Sequence, residues 1–236
     1  WLSAGQAMGR PLLLLHGAAG AKDQFEPIIP SLSGVYQVHA INFSGHGGEN
    51  SRASTFSIAL FAQDVLHYMA VKQLETVDIF GYSMGGYVAL YIARYYPEKI
   101  GKIITLASKL HWDEAIAAKE IKLLNAATIQ QKVPAFAQQL AARHGSQHWE
   151  TVLEKVSNML LELGNANTLQ LHDYNHITHP VLLLLGDRDK MVSMDETVAV
   201  FKQFPYAQMA VLPGTPHPIE QVNVPVLVFF IQWFLK

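Results

Sequence analysis

Short apolar runs alternate along the chain with longer stretches in which apolar positions recur every three or four residues. Four consecutive leucines at 12–15 predict a buried strand over 11–15. Further apolar runs predict strands over 36–42, 76–81, 102–107, 181–185 and 208–212. Between them, 55–72 places Phe56, Ala59, Leu60, Val65, Leu66 and Met69 on one broad face, as a helix would. Helices are also predicted over 84–96, 194–204 and 222–235. This alternation of strand and helix predicts an α/β fold, a mostly parallel sheet flanked by helices on both faces.

One region breaks the rhythm. Residues 110–174 contain no strand pattern and predict helices over 114–127, 133–144 and 149–163, punctuated by Gly145-Ser146 and Gly164-Asn165. A helical block between two strands of an open sheet is most simply a cap over the sheet's edge. The expected layout is therefore a core of 1–109 and 175–236 with a helical cap (lid) of 110–174 inserted in it.

Composition narrows the function classes. The chain has 236 residues, half of them apolar and 15% charged, so it can bury a large core. A formal charge of −2 gives no reason to expect a nucleic-acid partner. The absence of cysteine removes disulfide scaffolds, thiolate metal sites and a cysteine nucleophile. No run approaches the roughly 18 consecutive apolar residues of a membrane span. The first residues show neither the basic nor the apolar part of a secretory leader, and from this a cytoplasmic location is expected. A start at Trp1 rather than Met is what a sequence trimmed at its N-terminus would show.

The chemistry concentrates in a few loops. Gly81-Tyr82-Ser83-Met84-Gly85-Gly86 follows a predicted strand and opens a predicted helix, the context of a G-x-S-x-G nucleophile elbow. In such a tight turn the residues two before and two after the nucleophile are expected to crowd each other, so both lack a Cβ. Ser83 would then sit at the apex, with the helix N-terminus offering free N–H groups and partial positive charge. A hydroxyl is a weak nucleophile without a base. His217, in the Pro213-Gly214-Thr215-Pro216-His217-Pro218 loop after a predicted strand, is the candidate. An orienting carboxylate would complete the set. Asp187 and Asp189 in Gly186-Asp187-Arg188-Asp189-Lys190-Met191-Val192 both qualify.

These segments give the chain a resemblance to the α/β-hydrolase superfamily, close to its serine-nucleophile capped branch of esterases and carbon–carbon bond hydrolases. The resemblance spans nearly the whole chain. Leu12 to Gly20 resembles the family's strand and oxyanion loop, Gly81 to Gly86 the elbow, Gly186 to Val192 the G-x-x-D-x-x-V acid loop, and Gly214 to His217 the histidine loop. It implies the α/β-hydrolase fold and a Ser83–His217–Asp189 triad, Asp189 being the fourth residue of its motif. It also implies oxyanion donors at the backbone N–H groups of Ala18 and Met84, and a structural role for His16. Asn42-Phe43-Ser44-Gly45-His46-Gly47 is similar to the family's D-x-R-G-H-G loop, with Asp and Arg replaced. The family usually begins with two further strands, of which only an end would fit in 1–7. Branches with an elbow aspartate, such as haloalkane dehalogenases and epoxide hydrolases, are disfavoured by Ser83.

Other readings carry less. His172, His176 and His179 have helical spacing for a metal, but Pro180 follows directly and breaks such a helix. Gly45-His46-Gly47-Gly48 lacks the Lys-Ser/Thr of a phosphate loop. Trp112, Phe136 and Trp149 are candidates for lining a substrate pocket, with packing inside the cap as the plainer alternative. The expectation is a serine hydrolase that cleaves a carboxylic ester or similar carbonyl substrate through an acyl-enzyme, with no cofactor and no metal. The same triad would serve a carbon–carbon hydrolase or lyase, or a cofactor-free perhydrolase. Outside catalysis, the fold would serve as a receptor or binding protein.

Overall fold

The computed structural model describes residues 2–5 and 9–236. The strands are β1 (Leu2–Ala4), β2 (Arg10–Leu15), β3 (Tyr36–Ile41), β4 (Val77–Tyr82), β5 (Ile100–Leu106), β6 (Val181–Gly186) and β7 (Ala207–Leu212). They form one sheet in the order β1–β3–β2–β4–β5–β6–β7. β1 runs antiparallel to β3, and every other pair is parallel. Of the two extra N-terminal strands implied by the resemblance, β1 is the one described. The rest of that expectation falls partly on residues 1 and 6–8, outside the described residues.

The leucine run shows why the sheet is covered on both faces. Leu13 and Leu15 join the cluster of Phe61, Val65 and Val88, while Leu12 and Leu14 join that of Phe25, Leu32 and Ile231. A strand with period two sends alternate side chains to opposite faces, so a continuous apolar run needs two cores. On the first face lie α2 (Ile58–Val71), α3 (Met84–Tyr95) and α8 (Met194–Phe201). The second is covered by α1 (Ile29–Ser33) and α9 (Val224–Leu235).

Between β5 and β6 lie α4 (Glu114–Glu120), α5 (Ala126–Lys132), α6 (Pro134–His144) and α7 (Trp149–Asn165), with no strand among the described residues there. The helix predicted over 114–127 is in fact divided. After α4 a 3₁₀ turn at Ile121–Leu124 ends at Asn125, whose side chain accepts from the Thr128 N–H at 2.8 Å and starts α5. That cap replaces continued helix with a new N-terminus, and Pro134 at the start of α6 ends α5 in turn. The helix predicted over 55–72 begins only at Ile58, because extended Ser57 caps it by accepting from Leu60 N–H. α7 is amphipathic, and Val152, Val156, Met159, Leu160 and Leu163 pack it onto the first core. No helix among the described residues is long and apolar enough to cross a membrane.

Candidate active site

β4 ends at Tyr82 and α3 begins at Met84, so Ser83 alone makes the turn. Its backbone sits in the left-handed region at φ 51°, a costly conformation for a residue with a Cβ. Two hydrogen bonds hold it there. The Ser83 N–H donates to Leu106 O at 2.8 Å, and the Ser108 hydroxyl donates to Ser83 O at 2.9 Å. The crowding differs in detail from the sequence expectation. A Cβ on Gly81 would lie 2.5 Å from Gly86 Cα and 2.6 Å from Gly85 C, whereas one on Gly85 would lie 2.0 Å from Leu15 O. Gly81 is thus required by the turn itself, and Gly85 by the passage of α3 over the end of β2.

His217 follows β7 and is largely buried. Its Nδ1 lies 2.8 Å from Asp189 Oδ2, and the Asp189 side chain is fully buried. The other carboxylate oxygen, Oδ1, accepts from the Met191 and Val192 N–H groups at 2.8 and 2.9 Å. Burial pushes the Asp189 carboxyl up. The His217 hydrogen bond and charge, with the Val192 and Met191 N–H groups, outweigh it, and the net shift is below the usual carboxylate value. An ionised carboxylate at Nδ1 fixes the tautomer with hydrogen there and leaves Nε2 as an acceptor. Asp187 does something else. Its Oδ1 accepts from the Thr215 N–H at 3.2 Å and ties the two loops together. Of the two aspartates, Asp189 is the one against the imidazole.

Ser83, Met84, Ala18 and His217 line one cavity. Met84 is the first residue of α3, where a backbone N–H has no partner within the helix. No hydrogen bond joins the Ser83 hydroxyl to His217 among the described residues, a contact that in hydrolases often tightens only when substrate arrives. The walls are mainly apolar, with Ile58, Tyr87, Met159 and Leu160 among them. Trp112 lines this cavity, and Phe136 lines an adjoining one that shares Ala18, Ser83 and His217. Trp149 lines neither. It is buried against Ile129, Leu140 and Leu153 within the inserted helices.

Several residues at the site were not singled out by the sequence. Lys109 and Glu120 put charge into the apolar cavity. Lys109 Nζ donates to Met191 O and lies 3.8 Å from Glu120 and 3.5 Å from Glu196. The Tyr82 hydroxyl donates to His217 O at 3.1 Å. Ser108 and Lys109 could have been suspected, because they follow a strand's C-terminal end.

The remaining histidines divide cleanly. His16 Nδ1 donates to Gly17 O at 2.8 Å and its Nε2 accepts from Phe43 N–H at 3.1 Å, so it braces two loops. His179 Nε2 instead meets Pro97 O at 2.9 Å, away from His172 and His176 on a short 3₁₀ turn. Among the described residues no three His, Asp or Glu side chains are grouped to hold a metal ion.

A family profile described as the alpha/beta hydrolase fold matches residues 10–161. The chain belongs to that family. This α/β-hydrolase is 26% identical, over 97% of its length, to the dihydrolipoyllysine-residue acetyltransferase component of an acetoin cleaving system from Pseudomonas putida, of which it covers 65%. It is 33% identical over 42% of its length to a pimeloyl-[acyl-carrier protein] methyl ester esterase from Neisseria meningitidis, covering 37% of that protein. It thus spans less than two thirds of either relative. Among solved structures, a 2-hydroxy-6-oxo-6-phenylhexa-2,4-dienoate hydrolase from Rhodococcus superposes with a TM-score of 0.79 at 20% identity, covering 99% of this chain and 93% of the other. At that identity the likeness is one of fold.

Proposed function

We propose that this α/β-hydrolase is a serine hydrolase that cleaves carboxylic esters through an acyl-enzyme. The observation that carries this reading is the 2.8 Å contact between buried Asp189 and His217, on the same cavity as the elbow residue Ser83. In this mechanism His217 Nε2 takes the Ser83 proton as Oγ attacks the ester carbonyl. Asp189 holds the imidazole in its working tautomer and stabilises the imidazolium. The Ala18 and Met84 N–H groups receive the developing oxyanion. His217 then protonates the departing alcohol, and a water activated by the same nitrogen releases the acid.

Residues 110–174 act in this reading as the cap that closes the cavity. Trp112, Leu160 and Met159 offer an apolar substrate group a surface. The Lys109–Glu120 pair gives that cavity one polar spot.

The test combines a fluorophosphonate label with p-nitrophenyl esters of rising acyl length. The expected result is one covalent adduct on Ser83 and a ranked series of ester rates. A folded protein that takes no label and turns over no ester would favour the binding-protein alternative.

A further inference from the structure

We infer that His144, at the end of α6, is a positioning residue for the turn that carries Ala18, an inference that rests on the oxyanion role proposed for the Ala18 N–H. Gly17 to Gly20 form a tight turn closed by Gly20 N–H donating to Gly17 O at 3.0 Å. Its third residue, Ala19, has φ 52° while Ala18 does not share a positive φ. That sign pattern belongs to a type II turn, in which the third position favours glycine because a Cβ is strained there. Alanine at this position therefore needs outside support to hold the turn.

The inserted helices supply that support twice. The Ala19 methyl is buried in the cluster of Ile129, Leu140, Trp149 and Leu153, all from α5 to α7. The Ala19 carbonyl accepts from His144 Nε2 at 2.8 Å. On its other side, His144 Nδ1 accepts from the Gly47 N–H at 3.0 Å. A backbone N–H on one ring nitrogen and a backbone carbonyl on the other demand a neutral imidazole with its hydrogen on Nε2.

The chain of contacts closes on itself. The Asn42 side chain donates through Nδ2 to Gly47 O at 3.2 Å and accepts through Oδ1 from Lys22 N–H at 2.8 Å. An aspartate at 42 could not make the first of these bonds. Asn42, one of the two positions at which this chain leaves the family loop pattern, thus completes a ring from Ala19 through His144, Gly47 and Asn42 to Lys22. The turn is held on both flanks, and Ala18, which lines the cavity with Ser83, lies inside the held segment.

Removing one oxyanion donor typically lowers kcat by about 10²–10³-fold, so loosening its support should cost about 10- to 100-fold. The test compares His144→Leu, His144→Gln and the double variant His144→Leu/Ala19→Gly with wild type on p-nitrophenyl acetate. The expected result is a kcat lower by about 10- to 100-fold in His144→Leu, with KM within about threefold. His144→Gln, which keeps a donor near the Nε2 position, should recover most of that loss. The double variant should recover it too, because glycine adopts the turn without support. If His144→Leu fails to fold, the double variant alone decides, near-wild-type kcat supporting the inference and a tenfold or greater loss overturning it. A folded His144→Leu with wild-type kcat, or with kcat and KM altered together and no recovery in the double variant, also overturns it. Ser83→Ala in the same assay separates the two claims. Should it stay active, the underlying mechanism fails; with Ser83→Ala inactive, a negative His144 result refutes the positioning role alone.

Discussion

Asp189 and Asp187 are two residues apart on one loop, yet only Asp189 reaches His217, at 2.8 Å, while Asp187 meets the Thr215 backbone at 3.2 Å. The mechanism gives these contacts different consequences. Asp189→Asn leaves a neutral amide that favours the wrong imidazole tautomer, and kcat should fall by about 10⁴-fold, as when the same change is made in a protease triad. Asp187→Asn keeps an oxygen acceptor for Thr215 and should cost less than about tenfold. Steady-state kinetics on one p-nitrophenyl ester check both, and the reverse ranking would move the acid to Asp187.

Acid should destabilise the fold before it protonates the carboxylates. His16, His46 and His144 are buried, and burial is the main cause that lowers each, taking His46 down to about 3. In the unfolded chain they would titrate near 6.5. Below that value the unfolded state binds protons that the folded state refuses, so stability is full above about pH 7 and declines as pH falls toward the folded values. Each histidine contributes a slope of up to about 1.4 kcal/mol per pH unit. Asp189 is also shifted downward, because its bonds to His217, Val192 and Met191 outweigh burial, and it adds a further loss only below about pH 4, where the unfolded carboxylate takes up its proton. Urea titrations at pH 7.5, 6 and 5 should give steadily falling unfolding free energies. Equal values at pH 7.5 and pH 5 would show that these imidazoles are not held neutral.

Trp112 and Trp149 should separate by location. Trp112→Ala opens the wall of the cavity and should shift the preference between acetate and longer acyl esters by about 10- to 200-fold in kcat/KM ratios. Trp149→Ala instead empties a packed site and should cost about 3–5 kcal/mol of stability. Acetate turnover per folded molecule should survive in Trp112→Ala. Chemical denaturation and the ester series distinguish these outcomes, and equal selectivity shifts in both variants would contradict the assignment.

Much of the fold was legible because periodicity reports burial. The leucines at 12–15 could be read as a strand covered on both faces, and Gly81 to Gly86 could be read as a strand-to-helix turn. β1 could not, being three largely exposed residues with no alternation. The break at Asn125 was hidden because a cap residue inside an apolar helical pattern looks like any polar position. The choice between Asp187 and Asp189 was open on the residues alone, since both lie on the right loop and only the loop's path separates them. His144 and Glu120 lay furthest out of reach. Each meets its partner across more than a hundred residues or within a cavity wall, so no local spacing marks it.

The central claim is that Ser83 is the nucleophile, and turnover of p-nitrophenyl acetate by folded Ser83→Ala tests it most directly. The variant removes one hydroxyl, and the two backbone hydrogen bonds that hold residue 83 remain available. Its melting temperature should match wild type, while kcat falls by about 10⁶-fold, the scale seen when a serine protease loses its nucleophile. A folded Ser83→Ala that keeps wild-type turnover would contradict the account.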